Sequence, residues 1–498
     1  MDLIQAAVKM QGPSIRGRLR ANVVPFGAEK VTIVHALQAA QTCLSTMQTD
    51  PSASAKRLKR SIEEITLITF IAEYSSILSK VRQLPDGILQ LIFLHSDLHG
   101  YLYTGNRDSE VEIDTWHITS VCSHWRAILL DMPVWWSCIS TSITAGPLCL
   151  SRLELFLRRS KNAPLSIALW AREDPDQYQT ARPPNPEIVQ ALTREAGRWK
   201  YLSTSRDIEL ASLPGKHFPS LESLAIASTD GFGKIVYAPK LRAVSLRNVH
   251  RAQLGQKPAF ALQILQLSAN MGSGEMCQPL LSLFPNTIHF TISTKYKTPW
   301  RGLPDPNPHL SVRTLVFLGH EMRAYCVLEM LDVLNLPNLE RLELIDCCNW
   351  DFRSIDSHMK RSGCALKELS LQSIRIRGPQ LLELLRILPT LEKLEIIGSW
   401  QIPNSITDAV ILGLGPTDKP LLSSLTNWVM HGTYLFSTDT LLHMLEYRFG
   451  DGKQCRTPTV VDIILRDRSF SVADLERFAA LPAAGGRVSL EFLDEDRQ

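Results

Sequence analysis

The sequence predicts an α/β chain, with a small all-α unit near the N-terminus followed by an irregular solenoid whose repeats each supply a strand and a helix or irregular return. Three observations carry this. A short and almost wholly apolar stretch, LPDGILQLIFLH, runs from Leu84 to His95. A second helical pattern follows, with Val121, Cys122, Trp125, Ile128 and Leu129 on one face. From about residue 164 the pattern changes. It becomes an apolar residue, two of any kind, an apolar residue, one of any kind and an apolar residue, recurring along the chain.

Bulk properties bound the reading. A chain of 498 residues holds roughly two to four domains at about 100–200 residues each. Its 45% apolar and 21% charged content is ordinary for a globular protein, so a sizeable core is within reach. A net charge of +3 is too small to argue for nucleic acid. Residues 1–54 form a basic extension, expected to be poorly ordered. The ten cysteines form no C-x-x-C pair, which favours reduced thiols in the cytoplasm or nucleus over a disulfide framework. Apolar runs are too short for a membrane helix, so no membrane association is expected.

Each element has its own signal. A helix is possible around Val31 to Met47. Residues 55–83 read as an amphipathic helix, opened by the capping-box pattern of Ser61 and Glu64. In the apolar stretch, Pro85 suits a first helical turn, where its missing N–H costs nothing. Ile88, Leu89, Ile92 and Phe93 share a face, and Leu91 and Leu94 widen it, so this helix is either buried on several sides or binds something. Residues 96–115 read as a loop, and Pro133 ends the second helix ahead of Trp135 and Trp136. This all-α unit is assigned to residues 84–145 and the solenoid, with a C-terminal cap, to 146–498.

PLSIALW, from Pro164, reads as a strand. The recurring unit then appears as LESLAI from Leu221, LRAVSL from Leu241, LQILQL from Leu262 and TIHFTI from Thr287. It continues as VRTLVF from Val312, LERLEL from Leu339, LKELSL from Leu366 and LEKLEI from Leu391. The spacing falls within the roughly 20–29 residues of leucine-rich repeats. LLSSLT near Leu421 and VVDIIL near Val460 look like terminal variants. The apolar positions of each unit are expected to point inward against neighbouring repeats. The residues between them face outward: Arg247, Gln266, Arg341, Glu343, Glu368, Ser370, Lys393 and Glu395 are the candidate substrate-binding positions.

LPDGILQLIF, VCSHWRAI and PVWW, in that order, closely resemble an F-box, and with the repeats behind them the chain resembles the F-box leucine-rich-repeat receptors common in mushroom-forming fungi. The sequence departs from the pattern at Gly87, where an acidic residue is usual, and in the long 96–115 loop. The resemblance implies a substrate-recognition subunit of an SCF-type cullin–RING ubiquitin ligase, docked on a Skp-type adaptor and through it on the cullin. Its adaptor contacts would be Leu84, Pro85, Ile88, Leu89, Ile92 and Phe93, then Val121, Cys122, Trp125 and Arg126. The repeats would hold a protein substrate. The alternative is a non-catalytic repeat scaffold with a degenerate F-box.

Other motifs point to no chemistry. His95 and His99 have helical zinc-pair spacing, but Ser96 stands where a metalloprotease carries its Glu, and no third ligand is evident. Cys347 and Cys348 have no sign of an activating His. TDGFGK, at 229–234, lacks P-loop spacing, and KRLKR, at 56–60, reads as a solvated helix start or a nuclear address. No enzyme, metal or cofactor is expected.

Overall fold

A computed structural model describes residues 17, 24–49, 57–95, 102–103, 118–170, 183–205, 217–226, 235, 237–249, 260–271, 276–294, 307–319, 331–332, 334–347, 352–374, 376–398, 404–416, 419–432, 434–449, 460–466, 471–481 and 487–493. The chain forms two compact units, residues 1–199 and 200–498. His99, Cys348 and the 229–234 glycine stretch lie outside the described residues.

The first unit opens with two paired helices, α1 (Gly27–Thr49) and α2 (Arg57–Ile77). Within the 1–54 extension, Gly27–Thr49 is helical, around the helix expected at Val31 to Met47. Ile33, Ala36, Leu37, Ala40, Cys43, Leu44 and Met47 recur at helical spacing and pack on Leu67, Phe70 and Tyr74. Phe70 and Tyr74 stack with ring centroids 4.0 Å apart. Helix α2 starts at Arg57, so Ser61 and Glu64 lie within it rather than at its start.

Helices α3 (Asp86–His95) and α4 (Ser123–Leu130) follow, then a single 3-10 turn at Pro133–Trp136. Strand β1 (Leu102–Tyr103), within the stretch read as a loop, pairs in parallel with β2 (Cys138–Ser142), and β2 pairs with β3 (Leu165–Trp170). Helices α5 (Pro147–Arg159) and α6 (Pro186–Arg194) complete the unit. The repeat pattern thus begins earlier than residue 146. Trp136, Ile139 and Thr141 occupy the three inward positions, all 2% exposed or less. Tryptophan and threonine disguise this copy.

The second unit is a solenoid-like α/β arrangement with a long parallel sheet. Its strands are β4 (Trp199–Thr204), β5 (Ser223–Ile226), β6 (Ala243–Val249), β7 (Gln266–Met271), β8 (His289–Thr294), β9 (Thr314–Gly319), β10 (Arg341–Ile345), β11 (Glu368–Gln372) and β12 (Lys393–Ile397). After β13 (Asn404–Thr407) come β14 (Asn427–Gly432), β15 (Tyr434–Leu435), β16 (Val460–Arg466) and β17 (Arg487–Leu493). From β4 to β12 neighbours in sequence are neighbours in the sheet, and β14, β16 and β17 extend it, while β13 and β15 pair separately. One buried row runs Leu224, Val244, Leu267, Phe290, Leu315, Leu342, Leu369, Leu394, Trp428 and Val461 in register. The next inward row runs from Ile226 through Phe317 to Ile463. Strands about 4.8 Å apart bring these side chains into direct contact.

Three repeats differ in phase from the sequence reading; in VVDIIL it is Val461 and Ile463 that point inward. LQILQL carries apolar residues in two phases, and the inward set is Ile264, Leu267 and Ala269, while Leu265 is 37% exposed. Near Leu421 the inward set is Leu425, Trp428 and Met430. Thr287 fills a leucine position fully buried, because its Oγ1 donates to the Phe284 carbonyl at 2.8 Å.

Arginine clasps tie the returns together. Arg448, in helix α11 (Thr438–Phe449), is 2% exposed; it donates from Nε to the Leu414 carbonyl, from Nη1 to that of Leu422 and from Nη2 to that of Leu421, at 2.6–2.9 Å. Arg361, in helix α8 (Phe352–Ser362), binds the Leu331 and Leu334 carbonyls, and Arg198 those of Lys161 and Ala163. Each guanidinium satisfies carbonyls of a preceding turn that have no strand to pair with. Behind the strands α7 (Cys277–Leu283), α9 (Gly378–Arg386), α10 (Asp408–Leu414) and α12 (Val472–Ala479) supply further returns. Gly319 ends β9 where a Cβ would lie 2.2 Å from the Asp346 carbonyl oxygen, so only glycine admits that approach.

His358 gives the solenoid a pH dependence. It is 1% exposed, its Nδ1 lies 3.1 Å from the Leu331 carbonyl, and burial pushes its imidazole down to about 4. The fold therefore holds the neutral ring, whereas an unfolded chain protonates it near pH 6.5. Its contribution is complete above pH 6.5 and is lost as pH falls through 4, on the order of 3 kcal/mol. Urea unfolding midpoints measured from pH 7 to pH 4 should fall more steeply for the native chain than for His358→Gln; equal slopes would remove His358 as the cause.

Candidate functional site

The structure divides the ten motif residues of the first unit by helix face. Leu89 and Phe93, four apart on α3, point inward and are 1% and 2% exposed. Phe93 meets Trp125 edge-on at 5.0 Å and Trp135 at 6.1 Å. Cys122 is buried and caps α4, its Sγ accepting from the Trp125 N–H at 3.4 Å. Trp125 and Leu84 are half-buried. These five hold the unit together.

The other face is open. Pro85 is exposed, and Ile88, Leu91 and Ile92 are 44–51% exposed, forming a stripe at helical spacing. Val121, at the entry to α4, is 54% exposed. Arg126 is also exposed, its Nε donating to the Thr119 carbonyl at 2.9 Å. Pro85 stands just ahead of α3 rather than within it, and its carbonyl accepts from Ile88 and Leu89 at 2.9 and 3.1 Å. A contact between His124 Nε2 and Asp86, at 3.1 Å, ties the start of α4 to the start of α3. Neither partner carried a sequence signal, because the pairing needs both helices in place.

Trp136 is fully buried, donates from Nε1 to the Leu129 carbonyl at 2.8 Å, and meets Phe156 edge-on at 5.0 Å. The Arg159 guanidinium lies 4.3 Å from its ring centre. Among the described residues no three His, Cys, Asp or Glu side chains converge as metal ligands, and no helix is long and apolar enough to cross a membrane.

The eight outward residues of the repeats share one face of the sheet but differ in surroundings. Gln266, Arg341 and Glu343 line one cavity of about 290 Å³ with Leu267, Ser268, His289, Thr291, Thr314 and Val316. Arg341 binds Glu343 at 2.5 Å and Glu368 at 3.1 Å, and Lys393 lies 3.5 Å from Glu395. Ser370 is 4% exposed and accepts from Gln372, so little of it is left for a ligand. Arg247 is exposed, and its Nη2 donates to Ser203. Sequence reasoning missed His289, Thr291 and Thr314, polar residues that only the register places beside Arg341 and Glu343. Cys347, 1% exposed with its Sγ 3.3 Å from the Ile345 carbonyl, has the surroundings of a core thiol.

No family description matches the sequence, and no curated protein matches it. A solved protein from Bacteroides fragilis aligns over 46% of this chain at 16% identity, with a TM-score of 0.29. The alignment spans 64% of that protein's own length.

Gly87 lies in α3, and a methyl group placed on its Cα would meet nothing within 4 Å, so the missing side chain costs helix stability without relieving any clash. Gly87→Ala should raise the opening free energy of the α3 amides by about 0.5–1 kcal/mol, read by native-state hydrogen exchange. An unchanged or lower value would show that glycine serves another purpose there.

Proposed function

We propose that the chain is the substrate-recognition subunit of an SCF-type cullin–RING ubiquitin ligase. The observation that carries this reading is the open stripe of Pro85, Ile88, Leu91 and Ile92 on a helix whose opposite face, Leu89 and Phe93, is already buried. A helix apolar on both faces leaves one of them for a partner. Together with the resemblance of three ordered sequence blocks to an F-box, that partner is a Skp-type adaptor. Val121 and Arg126 extend the contact, while Leu84, Leu89, Phe93, Cys122 and Trp125 support it from behind. In this role the chain does no bond chemistry. It holds a protein substrate on the repeats near a ubiquitin-loaded enzyme and contributes proximity and orientation. A cytoplasmic or nuclear setting follows from the same reading.

Co-purification of the full chain with a Skp-type adaptor tests it. The native chain should retain the adaptor stoichiometrically. Ile88→Asp/Ile92→Asp, altered only at exposed positions, should keep the unfolding midpoint and weaken retention by about tenfold or more. Val31→Asp, on the exposed surface of α1, should leave retention unchanged. A folded native chain that fails to retain the adaptor would favour the plain repeat scaffold.

A further inference from the structure

We propose that the cavity on β7–β10 receives a short extended segment of uncharged hydrogen-bonding residues (serine, threonine, asparagine or glutamine) followed by a basic residue, and that it rejects the phosphorylated form. This rests on the substrate-receptor reading and names the substrate class for that receptor.

The lining sets the chemistry. Gln266, Ser268, His289, Thr291 and Thr314 offer amide, hydroxyl and imidazole groups, and none of them is a carboxylate or a permanent cation. Successive strands about 4.8 Å apart make the four-strand path roughly 14 Å long, which about four residues of extended chain would cover at ~3.3 Å each. A volume of about 290 Å³ lies near the small end of ligand-binding pockets, so one or two side chains enter and the rest of the segment lies across the mouth.

Charge decides between modified and unmodified segments. Among the described residues, Arg341 is the one permanent cation lining the cavity, and two carboxylates already hold it, Glu343 on Nε and Glu368 on Nη1. One guanidinium between two carboxylates leaves the group with a net charge of −1. A phosphate placed there meets repulsion from both acids and would have to displace one of them to gain a bidentate contact. A lysine or arginine at the β10 end meets the opposite situation, with a surplus carboxylate to pair with. On the β10 side the next cation along the face, Lys393, is taken by Glu395 at 3.5 Å.

The test uses the full chain, immobilised, and a randomised peptide library, followed by synthetic peptides in which a Ser/Thr/Asn/Gln tetrad precedes Lys, precedes Glu, or carries phosphoserine. The selected peptides should hold the uncharged tetrad followed by Lys or Arg, and phosphorylation should weaken binding by about tenfold or more. Glu343→Lys should reverse that preference. Thr291→Trp should fill the cavity and abolish peptide binding. Enrichment of acidic or phosphorylated peptides, enrichment of none, or indifference to both substitutions would overturn the proposal. Adaptor retention is read on the same preparations. Peptide failure with the adaptor retained rejects the cavity assignment alone, whereas selective peptide binding without adaptor retention rejects the ligase reading and leaves the cavity assignment standing.

Discussion

The parallel stacking of inward side chains is the constraint on which the second unit rests. No single repeat encloses a core. Leu342 is buried because Leu315 lies on one side of it and Leu369 on the other, in strict register. Such a structure tolerates wide variation in its returns, because stability is a sum over neighbouring interfaces. It tolerates little variation where backbones approach, as at Gly319, or where one buried guanidinium holds three carbonyls, as Arg448 does those of Leu414, Leu421 and Leu422. It also explains the exposed rim of alternating charge. Arg313 and Lys367 flank Glu340 from neighbouring repeats, and the Lys367 ammonium foremost holds the Glu340 carboxyl below its usual range.

The same stacking presents a continuous outer face. Alternation along each strand sends one residue of every pair inward and the next outward. The outer row from Ser268 through Thr291 and Val316 to Glu343 is therefore as regular as the leucines beneath it. Short side chains on three strands beside a longer ion-paired wall produce the depression. The site is thus a consequence of register combined with side-chain size, and its lining among the described residues comes from the strands.

How much of this was legible depended on whether the signal was local. Leucine triplets read directly as strands, and all eight copies fall in the parallel sheet. The copy written Trp136, Ile139 and Thr141 was invisible, and the one near Leu421 was misphased, because its inward set is Leu425, Trp428 and Met430. LQILQL was misphased because Leu262, Ile264, Leu265 and Leu267 satisfy two patterns, and only pairing of Leu267 with Val244 and Phe290 chooses between them. For the first unit, the sequence marked an over-apolar helix but could not tell Ile88 from Leu89. The choice depends on where Trp125 and Trp135 place their rings against Phe93. The helix of α1 was legible around Val31 to Met47, but its partner was not, because its apolar spacing gains meaning only opposite Leu67, Phe70 and Tyr74.

The proposed function requires that the open stripe of α3 be covered in trans. Hydrogen–deuterium exchange of the full chain, with and without a saturating Skp-type adaptor, measures this most directly. Slowed exchange is expected only in Asp86–His95 and Ser123–Leu130, with the strands of the second unit unchanged. Complex formation that leaves both helices unchanged and protects a different surface would contradict it.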